Sequence, residues 1–444
     1  MPVAHAGAGS LRTVSSSPAT DPSGAADPES TTAEPELPIL AAPAEPLPPV
    51  VTDATALDAT ITALAGGSGP VAVDAERAQG YRYTGRAYLI QLRRTGAGTH
   101  LIDPVTLAEA GTPVTGLMSA IADAEWIIHA AAQDTPCLAE LGLVPQRLFD
   151  TELAGRLLGF PRVALGALIE HYFGLRLLKE HSAADWSTRP LPADWLNYAA
   201  LDVELLVELR DRQVADLEAA GKLAWAEQEF AWLAGRASTP AVPRVDPWRR
   251  TSGIHAVRSP AGLAVVRELW QARDDLARRL DRAPGRILPD KAIAELAAKT
   301  APGRRELQQV PGFQRRSAKR YETNWVTAVD RARSLSKSEL PPVHLPSEGA
   351  PPPRTWESRD PEAYARHQRM RAVMTDLAER HDVPAENLCT PEFWRRLAWQ
   401  PPEPADETAV DAFLAELGAR RWQRELVVGP LTEAVQEPAS PPRS

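Results

Sequence analysis

Only two cysteines, Cys137 and Cys389, occur in 444 residues, and they lie far apart. That excludes a disulfide scaffold and a cysteine-based zinc site, and it suits a reducing cytosol. No run of about 18 apolar residues is present, so no membrane span is expected. The N-terminus lacks a charged start followed by an apolar core, so no secretory signal is expected. No Gly-x-x-x-x-Gly-Lys-Ser/Thr loop is found, which removes the helicase and P-loop readings. Positive charge is lacking overall, with a net charge of −9. Net charge therefore gives no sign of a nucleic-acid partner, and the distribution along the chain has to decide.

What is present is an ordinary apolar fraction of 44% and a length that allows roughly two to four domains. Residues 1–50 are rich in Pro, Ala, Ser, Thr and Glu without period, and read as a disordered acidic leader. Residues 51–236 alternate short strands and helices, a mixed α/β domain. Helices are expected over Asp53–Leu64, Leu107–Ala122, Asp150–Leu158, Val163–Tyr172 and from Trp195 past Leu209. Strands are expected over Val71–Asp74, Ala87–Leu92, His100–Asp103 and Trp126–His129. Residues 248–335 read as all helical, 336–360 as a Pro/Ser-rich linker, 361–430 as a second helical module of similar rhythm, and 431–444 as a disordered tail.

The chemistry sits in the α/β part. In Val71-Ala-Val-Asp74-Ala-Glu76 the strand period places Asp74 and Glu76 on one face. Two adjacent carboxylates repel and resist burial unless a cation lies between them. A hard divalent ion such as Mg²⁺ or Mn²⁺ prefers such oxygen ligands. Asp134 follows the Trp126–His129 strand across a short turn, and Tyr198 and Asp202 stand four apart on one helix face. Four inward acids and a phenol, in that order, suit a two-metal phosphoryl-transfer site in which two cations flank a phosphodiester. The tyrosine would hold the attacking water or help to deprotonate it. Taken singly, each residue has a plainer reading. Asp134 and Asp150 read as helix caps, Tyr198 as core with its hydroxyl at the edge, and His129 as a packed or hydrogen-bonded imidazole. The joint pattern is what carries weight.

That pattern resembles the DEDD exonucleases with tyrosine in the third motif, and within them ribonuclease D. The motifs stand as Val73-Asp74-Ala-Glu76, His129-Ala-Ala-Ala-Gln-Asp134 and Tyr198-Ala-Ala-Leu-Asp202. The intervening Leu148-Phe-Asp150-Thr-Glu-Leu-Ala-Gly and the stretch from Lys179 through Asp185-Trp186 to Arg189-Pro190-Leu191 are similar to ribonuclease D as well. The resemblance implies a ribonuclease H-like α/β fold, a mixed sheet flanked by helices, and two Mg²⁺ or Mn²⁺ ions. It implies that Asp74, Glu76 and Asp202 hold the first ion and that Asp74 bridges to the second. Asp134 would act on that second ion through water, and Tyr198 would position the nucleophilic water. The implied activity is 3′→5′ exonucleolytic release of nucleoside 5′-monophosphates from RNA 3′ ends, such as those of tRNA precursors. The same chemistry on DNA, and a non-catalytic RNA-binding scaffold, are the alternatives.

Lys179 and Arg189 precede the third motif and could neutralise a phosphate; alternatively Trp186 and Arg189 pin that connection to the core. In Ala78-Gln-Gly-Tyr81-Arg-Tyr83 an aromatic ring could stack on a terminal base or pack within the loop. Between Trp248 and Arg333 there are nineteen Lys/Arg against nine Asp/Glu, an excess of about +10 on an acidic chain. The pairs Arg278-Arg279 and Arg315-Arg316 lie there and are candidates for phosphate contact. Leu263–Arg333 resembles an HRDC domain, a helical nucleic-acid-binding module. The 361–430 module reads as a degenerate copy, with an acidic, Pro-rich middle at Pro401–Glu407. A cytoplasmic monomer is expected.

Overall fold

The apolar, β-branched runs become the buried centre of a mixed sheet. A computed structural model describes residues 37–178, 183–240, 242–299, 302–345 and 350–437. Its strands are β1 (Ile39–Leu40), β2 (Ser68–Arg77), β3 (Ala87–Thr95), β4 (Gly98–Ile102), β5 (Glu125–Ile128), β6 (Arg147–Asp150) and β7 (Arg176–Leu177). Five of them form a sheet in the order β4-β3-β2-β5-β6. The β2-β3 and β3-β4 pairs are antiparallel, and β2-β5 and β5-β6 are parallel. The central strand β2 is buried at Val71 and Val73 and ends on the Asp-x-Glu pair. This is the expected mixed sheet with flanking helices.

Local chemistry sets the boundaries. Asp53 accepts from Ala56 N and caps the Ala54–Gly66 helix. The β3-β4 hairpin turns at Gly96 and Gly98, both at positive φ (82° and 75°), where a side chain would be strained. The helix expected over Leu107–Ala122 is instead three short pieces, Pro104–Glu109, Val114–Leu117 and Met118–Ile121. Gly111, at φ 75°, and Pro113 interrupt it. The helix expected to run from Trp195 past Leu209 breaks at Leu205 into Ala193–Glu204 and Leu206–Ala219.

Two expectations of disorder are corrected. Leu37–Val50, assigned to the leader, is built into the α/β domain: β1 pairs with β7, and Ala44 N donates to Glu204 Oε1 at 3.0 Å. Asn197 Nδ2 also donates to Ala41 O at 2.7 Å. Residues 1–36 of the leader lie outside the described residues. The expected tail begins inside a helix, since Arg421–Gln436 is continuous through Pro430.

The two helical modules share a plan. Each opens on a 21-residue helix, Pro260–Leu280 or Pro361–His381, capped at its N-terminus by Ser259 or Asp360. Each of those helices ends on an aspartate in left-handed conformation, Asp281 (φ 44°) or Asp382 (φ 48°), and a four-residue helix follows. They bury themselves differently. The first has its own core around Leu269, Ile293, Phe313 and Trp325. The second shares a core with the α/β domain, so Trp356, Met370 and Trp422 join Leu157, Leu201 and Phe230. At that junction Trp225 stacks on Trp422 at 5.0 Å, and Glu229 accepts from Trp422 Nε1 (2.8 Å) and Arg420 Nε (2.7 Å). The second module is thus packed onto the α/β domain. Among the described residues no helix is long and apolar enough to cross a membrane.

Candidate metal centre and active site

Three elements converge at the carboxyl end of β2. The strand brings Asp74 and Glu76, the turn after β5 brings Asp134, and the Ala193–Glu204 helix brings Tyr198 and Asp202. All five line one cavity of about 420 Å³. Asp74, Glu76 and Asp202 each bring one oxygen so that the three atoms lie within 4.8 Å of one another. The Tyr198 hydroxyl hydrogen-bonds to the Asp202 carboxylate. Asp134 is buried next to this cluster, with Oδ1 3.2 Å from Arg77 Nη2. It stands at the N-terminus of the Thr135–Glu140 helix but makes no side-chain cap bond, so its carboxylate stays turned to the cavity.

The electrostatics are those of a cage short of positive charge. Burial pushes Asp74 up to about 6. Burial, with Asp74 beside it, pushes Asp134 up to about 8. Burial together with Asp74, Asp202 and Asp134 raises Glu76 to about 10, and burial with Asp74 lifts Asp202 well above the usual carboxylate range. Mutual repulsion in a dry site is what a divalent cation removes, and an all-oxygen donor set suits a hard ion. The residues present therefore fit divalent metal ions. Burial, Asp202 and Glu76 hold the Tyr198 phenol above its ordinary value, so it stays protonated.

Asp150 has a larger role than capping. Its carboxylate accepts from Glu152 N and Leu153 N, as a cap, and also from Ala130 N (3.1 Å) and Ala131 N (2.9 Å). Ala130 sits at φ 58°, a strained conformation for a residue with a Cβ. Asp150 thereby holds the turn that delivers Asp134, and β6 carries it there. His129 accepts or donates through Nδ1 with Thr151 Oγ1 at 2.9 Å, and burial pushes it down to about 4. It is a neutral, hydrogen-bonded imidazole.

The basic candidates separate. Lys179 lies outside the described residues. Arg189 directs its guanidinium at Asp103 (2.5 and 2.9 Å) and at the carbonyls of Trp186, Thr188 and Tyr88. All of its nitrogens are engaged within the protein, so it pins the connection and leaves no fork for a phosphate. Arg278, Arg279, Arg315 and Arg316 are all exposed, and Arg278 also pairs with Asp274 at 2.8 Å. Tyr81 and Tyr83 pack instead of presenting a free ring. The Tyr83 hydroxyl donates to Asp274 at 3.1 Å, and Arg286 lies over the Tyr81 ring at 3.8 Å. Arg77 was not singled out by the sequence. Its only signal there is its place directly after Glu76, which strand alternation assigns to the opposite face.

The chain matches the family model described as 3′-5′ exonuclease over residues 48–218. It matches the HRDC domain over 262–329 and the 3′ to 5′ exonuclease C-terminal domain over 349–435. Sheet, acidic cluster and these matches define a 3′→5′ exonuclease with helical domains behind it. Ribonuclease D of Nitrobacter hamburgensis is 30% identical over 310 residues, covering 68% of this chain and 73% of that protein. A crystal structure of a protein from Bifidobacterium adolescentis matches at 39% identity and a TM-score of 0.83, covering 90% of this chain and 100% of that one. Escherichia coli RNase D shares the fold at a TM-score of 0.62 and 24% identity, covering 87% and 98%. The chain belongs to the ribonuclease D family of 3′→5′ exoribonucleases.

Proposed function

We propose that Asp74, Glu76 and Asp202 hold one divalent cation, Mg²⁺ or Mn²⁺, and that Asp74 and Asp134 hold a second. The observation that carries this reading is the three-carboxylate cluster within 4.8 Å. When bound, two such ions supply positive charge to the attacking and leaving oxygens of a phosphodiester. The chain's own residues do the positioning. Asp202 fixes the Tyr198 hydroxyl through their hydrogen bond. That hydrogen bond places the phenol to orient the attacking water. The product is a nucleoside 5′-monophosphate and a chain one nucleotide shorter.

The substrate in this reading is the 3′ end of a structured RNA such as a tRNA precursor. Supporting it is the basic 248–335 module, whose exposed Arg279, Arg315 and Arg316 suit backbone phosphates. The 361–430 segment is a degenerate copy of that module turned to packing, which the paired 21-residue helices support. The protein acts as a monomer in the cytoplasm, in keeping with two free, buried cysteines. Tyr198→Phe is expected to slow single-turnover hydrolysis of RNA by about 10²-fold with Mn²⁺ affinity unchanged. A wild-type rate in that variant would remove Tyr198 from the mechanism.

A further inference from the structure

Arg77 stands where an intact strand would turn it away from the acids. The β2-β3 ladder slips at this step: Glu76 faces Leu89, while Arg77 faces Ala87, leaving Tyr88 over. Such an irregularity bends the strand pair and re-aims side chains. Beside that slip, Arg77 lines the acidic cavity. Five carboxylates line it as well, those of Asp74, Glu76, Asp134, Glu152 and Asp202. Among the described lining residues Arg77 is the one cation, since burial keeps His129 neutral.

The hold on Arg77 is slight. Its one polar contact among the described residues is Nη2 to Asp134 Oδ1, at 3.2 Å, and its side chain is 20% exposed against 7% for Asp134. Arg189, by contrast, is tied by five hydrogen bonds. A guanidinium presents a fork of N–H donors that matches a carboxylate and a phosphate equally well. Asp134 is also the acid nearest to being shared, because the close three-oxygen cluster does not include it. Arg77 and a second cation thus address the same carboxylate.

Resting on the two-ion reading above, we propose that Arg77 is a further catalytic residue. Its guanidinium pairs with Asp134 in the ion-free site, and it would turn to a non-bridging oxygen of a bound phosphodiester once Asp134 served as a ligand to a second ion. The exchange keeps the buried acid compensated in both states and brings a donor to the phosphate as charge builds on it.

The test is a calorimetric Mn²⁺ titration of the full chain, without RNA, for the wild type, Arg77→Gln and Arg77→Lys, beside single-turnover cleavage at saturating Mn²⁺. Arg77→Gln is expected to bind the second ion about tenfold more tightly, because a competing cation is gone. It is expected to cleave about 10²-fold more slowly, because a phosphate donor is gone. Arg77→Lys keeps the charge but not the fork, so it should bind ions like the wild type and cleave about tenfold more slowly. Second-ion affinity that is unchanged or weakened in Arg77→Gln overturns the exchange, and so does wild-type cleavage by that variant. Should Arg77→Gln fail to fold, wild-type cleavage by Arg77→Lys overturns the role of the fork. If the wild type itself binds fewer than two Mn²⁺ ions, the two-ion reading falls and the exchange falls with it. If it binds two and the variants do not show the changes expected of them, the exchange alone is overturned.

Discussion

Asp74→Asn is expected to lower RNA hydrolysis by at least about 10³-fold, because losing about 4 kcal/mol of ion-borne charge stabilisation corresponds to that factor. Asp74 is the best placed of the acids to have this effect. It is at the end of the central strand, it belongs to the three-oxygen cluster, and it also acts electrostatically on Asp134. The amide keeps the size and one oxygen but removes the charge that holds a cation. RNA binding should survive within about twofold, because phosphate contacts on a basic surface supply most of such affinity and the basic helical module lies elsewhere in the chain. Gel-shift and single-turnover measurements on the same preparation check both halves. Hydrolysis at the wild-type rate would remove Asp74 from the centre of the site. A parallel loss of RNA binding and hydrolysis would point to misfolding, which the melting temperature reports.

The second large effect is on stability, and pH controls it. In an unfolded chain these carboxyls ionise near 4. In the folded, ion-free protein burial holds Asp74 near 6, Asp134 near 8 and Glu76 near 10. From about pH 4 up to about pH 10 the folded state therefore keeps protons that the unfolded chain has released, so stability falls as pH rises. A divalent ion takes the place of those protons. Its affinity must rise with pH over the same interval, because the ligands have to be deprotonated. Mg²⁺ at 100 times its dissociation constant adds about 2.7 kcal/mol, or roughly 5–10 °C in melting temperature for a domain of this size. The expected result is a large Mg²⁺ shift at pH 8, a small one at pH 6, and loss of the shift with chelator. An equal shift at both pH values would mean that the ion binds elsewhere than at these acids.

Much of this site was legible because two simple periods place it. The strand period put Asp74 and Glu76 on one face, and the helix period put Tyr198 and Asp202 on another, and the structure brings both pairs into one cavity. Arg77 escaped because strand alternation assigns it to the face away from the acids, whereas the folded chain sets it 3.2 Å from Asp134 beside a slip in the ladder with β3. For Arg189 the phosphate and pinning roles both stayed open because a sequence does not show where a guanidinium's donors go; Asp103, 86 residues away, takes two of them. The strand β6 is four residues of which Arg147 and Asp150 are polar, too short for a period to appear. Leu37–Val50 lacks a period as well, and its order comes from partners far along the chain, Arg176, Asn197 and Glu204. The second helical module showed its rhythm but not its burial, since Trp422 completes a core begun by Phe230.

In the proposed mechanism these acids, with divalent ions, remove nucleotides from RNA 3′ ends. The most direct measurement follows one RNA sequence, labelled at the 5′ end in one reaction and at the 3′ end in another, with Mg²⁺ and with chelator. The expected result with Mg²⁺ is a 5′-labelled ladder shortening one nucleotide at a time, immediate appearance of the 3′ label as a mononucleotide, and no cleavage with chelator. Undiminished cleavage in chelator, or release of the 5′ label first, would contradict it.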